Sequence, residues 1–366
     1  MKRERNRTVV KSFCSILLLC ASMMLFSACG APKQQETEKI STGEERSSIE
    51  TTVQESSEAD ESLTGESPLR LVALKGPTSM GMAYVLSSGD QERHSYYCRV
   101  LGSPEEIVPL LVKKEIDVAA VPSNLAAVLY AKTEGNIQVL NINTLGVLYL
   151  VERGERVHAI TDLKGKTVLA SGKGATPEYA LRYLLEANGL NEDEVSIEWK
   201  SEHAEVVAAL AENPDAVALL PEPFVSSAEA NLADLRRAVD LTEAWDAAQN
   251  ESDAPSALVM GVLVARREIV NEHPDAIAQL LADVTRSVDK VKQNPEEAAK
   301  IISELGIVPE AVAKKAIPHA NLVSITGVKM KEKLGGYLRV LAEQDVKAIG
   351  GALPADDFYF LPEGQR

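Results

Sequence analysis

Asp117-Val118-Ala119-Ala120-Val121-Pro122-Ser123-Asn124 is the stretch on which the fold turns. A short unbroken apolar run stopped by proline reads as a buried strand, and the polar pair behind it opens a helix running to about Ala131. A near copy lies downstream. Ala216-Val217-Ala218-Leu219-Leu220 ends at Pro221, and a helical pattern follows through Ala230. Each copy has the same upstream partner. Leu69 to Leu74 is strand-like and broken by Gly76-Pro77, with a helix expected from about Thr78 to Leu86. Lys166 to Ala170 is strand-like and broken by Gly172-Lys173-Gly174, with Thr176 as N-cap and Pro177 in the first turn of the next helix. Gly76 to Pro122 spans 46 positions and Gly174 to Pro221 spans 47. Two pairings in register predict two α/β lobes of similar topology.

Ile137 to Val151 is a long β-rich run interrupted by Asn143-Thr144-Leu145-Gly146, and Ala257 to Ala265 is a second such run. They read as two β crossings between the lobes. The remainder is helical and returns to the first lobe. One helix has Pro274 in its first turn and Ile277, Leu280, Leu281, Val284, Val288 and Val291 on one face. Another is capped by Asn294, starts at Pro295 and stops at Gly306, and a third runs from about Val328 to Ala348 with Gly335-Gly336 as a weak point. The expected division is 68–147 with 258–366 for lobe I and 148–257 for lobe II.

In open parallel sheets, ligands bind beyond the carboxyl ends of the strands. The candidate ligand-binding residues are therefore in the loops: Thr78, Ser79 and Met80 after the first strand, Ser123 and Asn124 after Pro122, Thr144 at a crossing, Lys173, Ala175 and Thr176 at the second lobe's glycine loop, and Glu222 behind Pro221. Hydroxyls directly after strands also serve as N-caps, a lone lysine is often merely solvated, and Glu222 suits a helix start whether or not it touches a ligand.

Catalytic patterns are poor. Gly172-Lys173-Gly174-Ala175-Thr176 lacks the four-residue gap of a phosphate loop, and Pro77 stands where a nucleophile elbow needs glycine. His94, His158, His203, His273 and His319 show no i, i+4 pairing and no cysteine company. No arginine stands out as an oxyanion clamp. No catalytic residue, metal site or cofactor is expected.

The 366 residues carry a formal charge of −16, although residues 1–28 are locally basic. An acidic surface of this kind excludes a nucleic-acid partner. Lys2, Arg3, Arg5, Arg7 and Lys11 precede an uncharged run from Ser12 to Ala28, the layout of an export signal. Residues 30–67 hold ten acidic and three basic side chains and almost nothing large and apolar, so an extended tether is expected there. Cys98 is the one cysteine beyond residue 29 and, in a strand-like run, reads as small buried packing.

Leu25-Phe26-Ser27-Ala28-Cys29-Gly30 resembles the lipobox of bacterial lipoproteins, which implies a signal peptide over 1–28 and an acylated Cys29. That motif, Gly-Pro-Thr-Ser-Met-Gly-Met-Ala (76–83), Asp117 to Pro122 with Asn124, Leu163-Lys164-Gly165-Lys166-Thr167-Val168 and Pro221-Glu222-Pro223-Phe224 together resemble the solute-binding lipoproteins of ABC importers. The nearest branch is the nitrate, sulfonate and taurine type, which includes thiamine-precursor binders. The resemblance covers roughly residues 69–360. It implies a bilobal α/β fold of the periplasmic-binding-protein type II kind, a small polar or anionic solute held between the lobes, and delivery to a membrane permease served by a cytoplasmic ATPase. It also implies a monomer held to the outer face of the cell membrane by lipid. Position by position, Thr78 and Ser79 match the loop after the first strand, Ser123 and Asn124 the loop closing the first lobe's side, and Ala175 and Thr176 the second lobe's helix start. Sulfonate binders commonly have a Ser-rich phrase there, from which Gly-Lys-Gly-Ala-Thr departs. Enzymes of menaquinone and thiamine-pyrimidine synthesis resemble the same bilobal proteins, so an enzyme of that kind is the alternative, with a surface sensor as a third reading.

Overall fold

The computed structural model describes residues 69–87, 96–249 and 256–362. The expected signal peptide, the expected lipidation at Cys29 and the expected acidic tether lie outside the described residues. Strands β1 (Arg70–Leu74), β2 (Tyr97–Leu101), β3 (Val118–Pro122), β4 (Ile137–Leu145), β10 (Val259–Arg266) and β11 (Leu322–Ile325) form one sheet. Strands β5 (Leu148–Arg153), β6 (Thr167–Ser171), β7 (Ser196–Lys200), β8 (Val217–Pro221) and β9 (Leu235–Asp240) form the other. The strand orders are β11-β4-β10-β3-β1-β2 and β7-β6-β8-β5-β9.

Superimposed as patterns, β2-β1-β3-β10-β4 and β7-β6-β8-β5-β9 are the same arrangement. In each, three parallel strands are joined by one antiparallel strand that arrives from the other sheet. Strand β5 follows β4 after Gly146 and Val147, and β10 returns from the second sheet. The echo between Val118–Pro122 and Val217–Pro221 marks equivalent strands: β3 lies between β1 and β10, and β8 lies between β6 and β5. Both are buried on both faces, which is why both read as unbroken apolar runs.

The helices are α1 (Pro77–Met80), α2 (Ala83–Leu86), α3 (Pro104–Val112), α4 (Ser123–Lys132), α5 (Thr176–Ala187), α6 (His203–Glu212), α7 (Phe224–Asn231), α8 (Leu241–Gln249), α9 (Arg267–Glu272), α10 (Pro274–Gln293), α11 (Pro295–Glu304), α12 (Glu310–Ala316) and α13 (Gly327–Asp345). None of the described helices is long and apolar enough to cross a membrane. One apolar layer runs under both sheets, joining Ile142 and Val262 of the first to Leu150, Val168 and Leu219 of the second beneath Trp245, Leu334, Tyr337 and Leu341. The first sheet's other face packs Leu71, Ala120 and Leu263 on Ile277, Leu280 and Val284. The second sheet's other face packs Val151, Leu169 and Ala218 on Val206, Leu210 and Val225.

Three local expectations change. The single helix expected from Thr78 to Leu86 is two short ones, broken at Gly81-Met82. A Cβ at Gly81 would stand 3.2 Å from Val288, so the chain bends where α10 and β11 press closest. Thr176 is the first helical residue rather than the N-cap, a place taken by Ala175. Gly335-Gly336 does not interrupt α13, and the missing side chain at Gly335 leaves room for the Tyr359 hydroxyl, 3.3 Å from where a Cβ would lie. Cys98 is in β2 as expected, half-buried, and burial pushes its thiol up to about 12.

Candidate functional site

The carboxyl ends of β1, β3, β6 and β8 carry the loops in which the sequence places a ligand. In the first of these, Gly76 has φ 127, a backbone that only glycine enters without strain. Its carbonyl accepts from the Ser79 amide at 3.2 Å and the Ser79 hydroxyl at 2.9 Å. Thr78 donates from its hydroxyl to Leu74 O at 3.4 Å, and its own carbonyl accepts from Asn143 Nδ2 at 3.1 Å. The Thr144 hydroxyl reaches Pro77 O at 3.4 Å and Asn143 Oδ1 at 3.0 Å. Thr78, Ser79 and Thr144 are thus buried and committed to holding their own loop. Met80, offered as a ligand contact, is instead a core residue packed with Val288, Ala299 and Ile302.

Gly261 of β10 lets this loop seat. A Cβ there would collide with the Thr78 methyl and stand 2.6 Å from Asn143 Oδ1. Gly261→Ala is expected to displace α1 from β4 at a cost of about 1–3 kcal/mol, the usual range for an overpacked core. Urea denaturation of the purified chain measures it, and an unchanged midpoint would show that the loop yields freely.

Ser123 opens α4 and donates to Val259 O at 2.6 Å, tying α4 to β10. Asn124 turns away from the sheet edge, its Nδ2 donating to Ala348 O at 3.4 Å in the C-terminal segment. In the second sheet's loop, Lys173 is exposed, and the Gly174 amide donates to Glu178 Oε2 at 2.5 Å, so a side chain of α5 already occupies that donor. Ala175 is half-buried and Thr176 fully buried. The Thr176 hydroxyl accepts from the Tyr337 hydroxyl at 3.1 Å. Tyr337 comes from α13 and is completely enclosed. Burial drives its phenol well above the ordinary range, so it stays protonated and able to donate. One hydroxyl of α13, a helix packed on β4 and β10 of the first sheet, therefore reaches the start of α5 on the second.

Glu222 is fully enclosed after β8. Its Oε2 accepts from the Ser226 amide at 3.2 Å, and its Oε1 faces Arg237 Nη2 at 2.6 Å without the alignment of a hydrogen bond. Burial pushes the carboxyl above its usual range, and Arg237 and Ser226 offset that only in part. Arg237 also bonds Glu229 at 2.8 Å and lies 4.9 Å over the Tyr149 ring, while its Nη1 is enclosed without a hydrogen-bond partner. The Tyr149 hydroxyl in turn donates to His319 O at 3.0 Å, which ties the second sheet to the turn following α12. Arg237 is thus a cation at the site that sequence reading passed over. It lies within β9, away from every loop and glycine.

A further group escaped notice. Ser171 Oγ and His203 Nδ1 are 2.5 Å apart, and the Phe224 ring lies 4.6 Å from the imidazole. Burial pushes His203 down to about 4, so the ring is neutral at ordinary pH. Its signal was positional. His203 opens the helix after β7, as Ser123 does after β3 and Thr176 after β6. Tyr337 gave no local signal at all. Among the described residues no group of three or more His, Cys, Asp or Glu could hold a metal ion.

Residues 76–318 match the model of a family described as menaquinone biosynthesis. A Brucella abortus protein named "Putative binding protein" is 24% identical over 239 residues, covering 63% of this chain and 70% of that one. A crystal structure described as an ABC transporter from Parabacteroides distasonis is 25% identical, with a TM-score of 0.67 over 82% of this chain and all of that one. The periplasmic aliphatic sulphonate binding protein of Escherichia coli is 16% identical, with a TM-score of 0.64 over 82% of this chain and 96% of that one. The chain has the bilobal α/β fold of periplasmic binding proteins.

Proposed function

The chain belongs to the family described as menaquinone biosynthesis, and because the same fold serves solute receptors we propose that it is the extracytoplasmic solute-binding component of an ABC importer. The observation that carries this reading is the Tyr337 hydroxyl bonded to Thr176, by which α13, packed on β4 and β10 of the first sheet, meets a helix start of the second. A solute touching both halves there favours their closed arrangement by its differential affinity for the closed form. The solute is small and polar or anionic, of the nitrate, sulfonate, taurine or thiamine-precursor kind. Lobe I comprises 68–147 and 258–366, and lobe II comprises 148–257. The hinge is at the two passages between sheets, before β5 and before β10.

The lipobox at Leu25 to Cys29 supports a lipid-anchored monomer on the outer face of the membrane, handing its solute to a permease with a cytoplasmic ATPase. Thr78, Ser79, Ser123, Thr144, Ala175, Thr176 and Glu222 frame the site, with Arg237 added. A second reading, an enzyme of the menaquinone or thiamine-pyrimidine kind, is favoured by the family's description. One experiment separates them. A thermal-shift panel of nitrate, sulfonates, amino-sulfonates, pyrimidines and riboflavin-like compounds is expected to yield a stabilising solute that mass spectrometry recovers unchanged. Recovery of a converted product would favour the enzyme, and a panel that stabilises nothing would sink the receptor reading. Mass spectrometry of the membrane fraction is expected to find diacylated Cys29, two acyl chains being enough for stable anchoring.

A further inference from the structure

We propose, resting on the receptor reading, that His203 is a solute-contacting residue whose Nε2–H donates to an acceptor oxygen of the solute: a carboxylate, a sulfonate or a ring carbonyl.

The argument begins with Ser171. Its side chain is buried at the end of β6, and His203 Nδ1 is the only partner of its hydroxyl among the described residues. Leaving a buried hydroxyl's hydrogen unshared is costly, so the hydrogen goes to the acceptor beside it. Nδ1 is that acceptor. A neutral imidazole whose Nδ1 accepts carries its proton on Nε2. Burial keeps the ring neutral, with its titration pushed down to about 4.

Phe224 fixes the ring's plane from one side, tilted 47° at 4.6 Å. With Nδ1 held and one face covered, Nε2–H is a donor of settled direction, and it has no hydrogen-bond partner among the described residues. Its place suits a solute contact. Ser171 closes β6 and Phe224 follows β8, adjacent central strands of the second sheet, so the ring stands at the edge from which Thr176 and Glu222 also arise. A neutral donor there binds acceptor oxygens and offers nothing to an ammonium group. Sites built around a donated hydrogen bond reject analogues that lack the acceptor far more strongly than apolar pockets reject a missing methylene.

The test uses the full chain with benzoate and methanesulfonate as probes and benzylamine as the contrast. Long-range nitrogen–proton NMR of the imidazoles, assigned with His203→Gln, is expected to show the Nε2–H form of His203 and its loss of preference in Ser171→Ala. Benzoate or methanesulfonate is expected to move the His203 signals while benzylamine leaves them in place. His203→Phe should weaken oxyanion binding at least tenfold, and His203→Gln, which keeps a donor at similar reach, should retain most of it. An Nδ1–H ring in the free protein, equal affinity in His203→Phe, or oxyanions that leave His203 unmoved would each overturn the assignment. If another solute of the wider panel binds while His203 is unperturbed, this contact alone fails. If no solute stabilises the chain, the receptor reading fails and takes the contact with it.

Discussion

Asp117→Ala is expected to destabilise the chain by about 3–5 kcal/mol, the usual cost of removing one partner from a buried ion pair. Asp117 immediately precedes β3, and its carboxylate accepts from the Arg70 amide at 2.9 Å, Arg70 Nε at 2.9 Å, Arg70 Nη2 at 2.7 Å and Arg266 Nη2 at 2.7 Å. Arg266 ends β10 and is itself buried, with Nε donating to Ile116 O at 3.0 Å. Without Asp117, Arg266 keeps its charge in the interior and is left with Glu268, 3.0 Å from Nη1 and itself open to solvent. The cluster joins β1, β3 and β10, so the loss falls on the strand that returns from the second sheet. At about 2–4 °C per kcal/mol for a protein of this size, the melting temperature should fall by roughly 6–20 °C.

The same carboxylate predicts an acid dependence. Burial alone would raise its pKa, but the hydrogen bonds from Arg70 and Arg266 outweigh burial and hold it at about 2. The folded chain therefore binds fewer protons here than the unfolded chain between pH 4 and pH 2. The contribution, about 2 kcal/mol, is complete above the unfolded value and is lost as pH falls toward the folded one. Wild type and Asp117→Ala should accordingly converge on acidification. Guanidinium melts at pH 7 and pH 3 measure this, and a gap that widens in acid would refute the pairing as the source.

Tyr337→Ala should cost a similar amount, about 3–5 kcal/mol, because a large enclosed aromatic leaves a cavity. The ring lies 5.7 Å from Trp245, so the cavity would open in the apolar layer shared by both sheets. The hydroxyl is separable from the ring. Tyr337→Phe removes one oxygen and leaves Thr176 without its donor. A cycle of Tyr337→Phe with Thr176→Ala is expected to give a coupling of about 0.5–3 kcal/mol, the range for residues in direct contact. Strict additivity would mean that the two hydroxyls do not act together in solution. Gln344 and Asp345 lie within hydrogen-bonding distance of Tyr179 a turn further along, so α13 grips α5 at more than one point. Tyr337 is nonetheless the contact that lies at the strand ends, where a solute would compete for the same hydroxyls.

What the chain determined by itself was the architecture, because buried parallel strands and their helix starts are local events. Val118 to Pro122 and Val217 to Pro221 are apolar on both faces and end in proline, and the α10 face from Ile277 to Val291 repeats at the helical period. Such signals survive without knowledge of what lies opposite. The site needed the tertiary structure, because its chemistry depends on which side chain reaches which hydroxyl across great sequence distance. Thr78 and Ser79 look like free ligands until Gly76, Leu74 and Asn143 are seen to claim them. Glu222 looks like a helix-start anion until Arg237 arrives from β9. Thr176 looks like a cap until Tyr337, 161 positions away, takes its oxygen. Hydrogen bonds saturate, so a polar residue's availability is set by its last partner, and only the folded chain shows who that partner is.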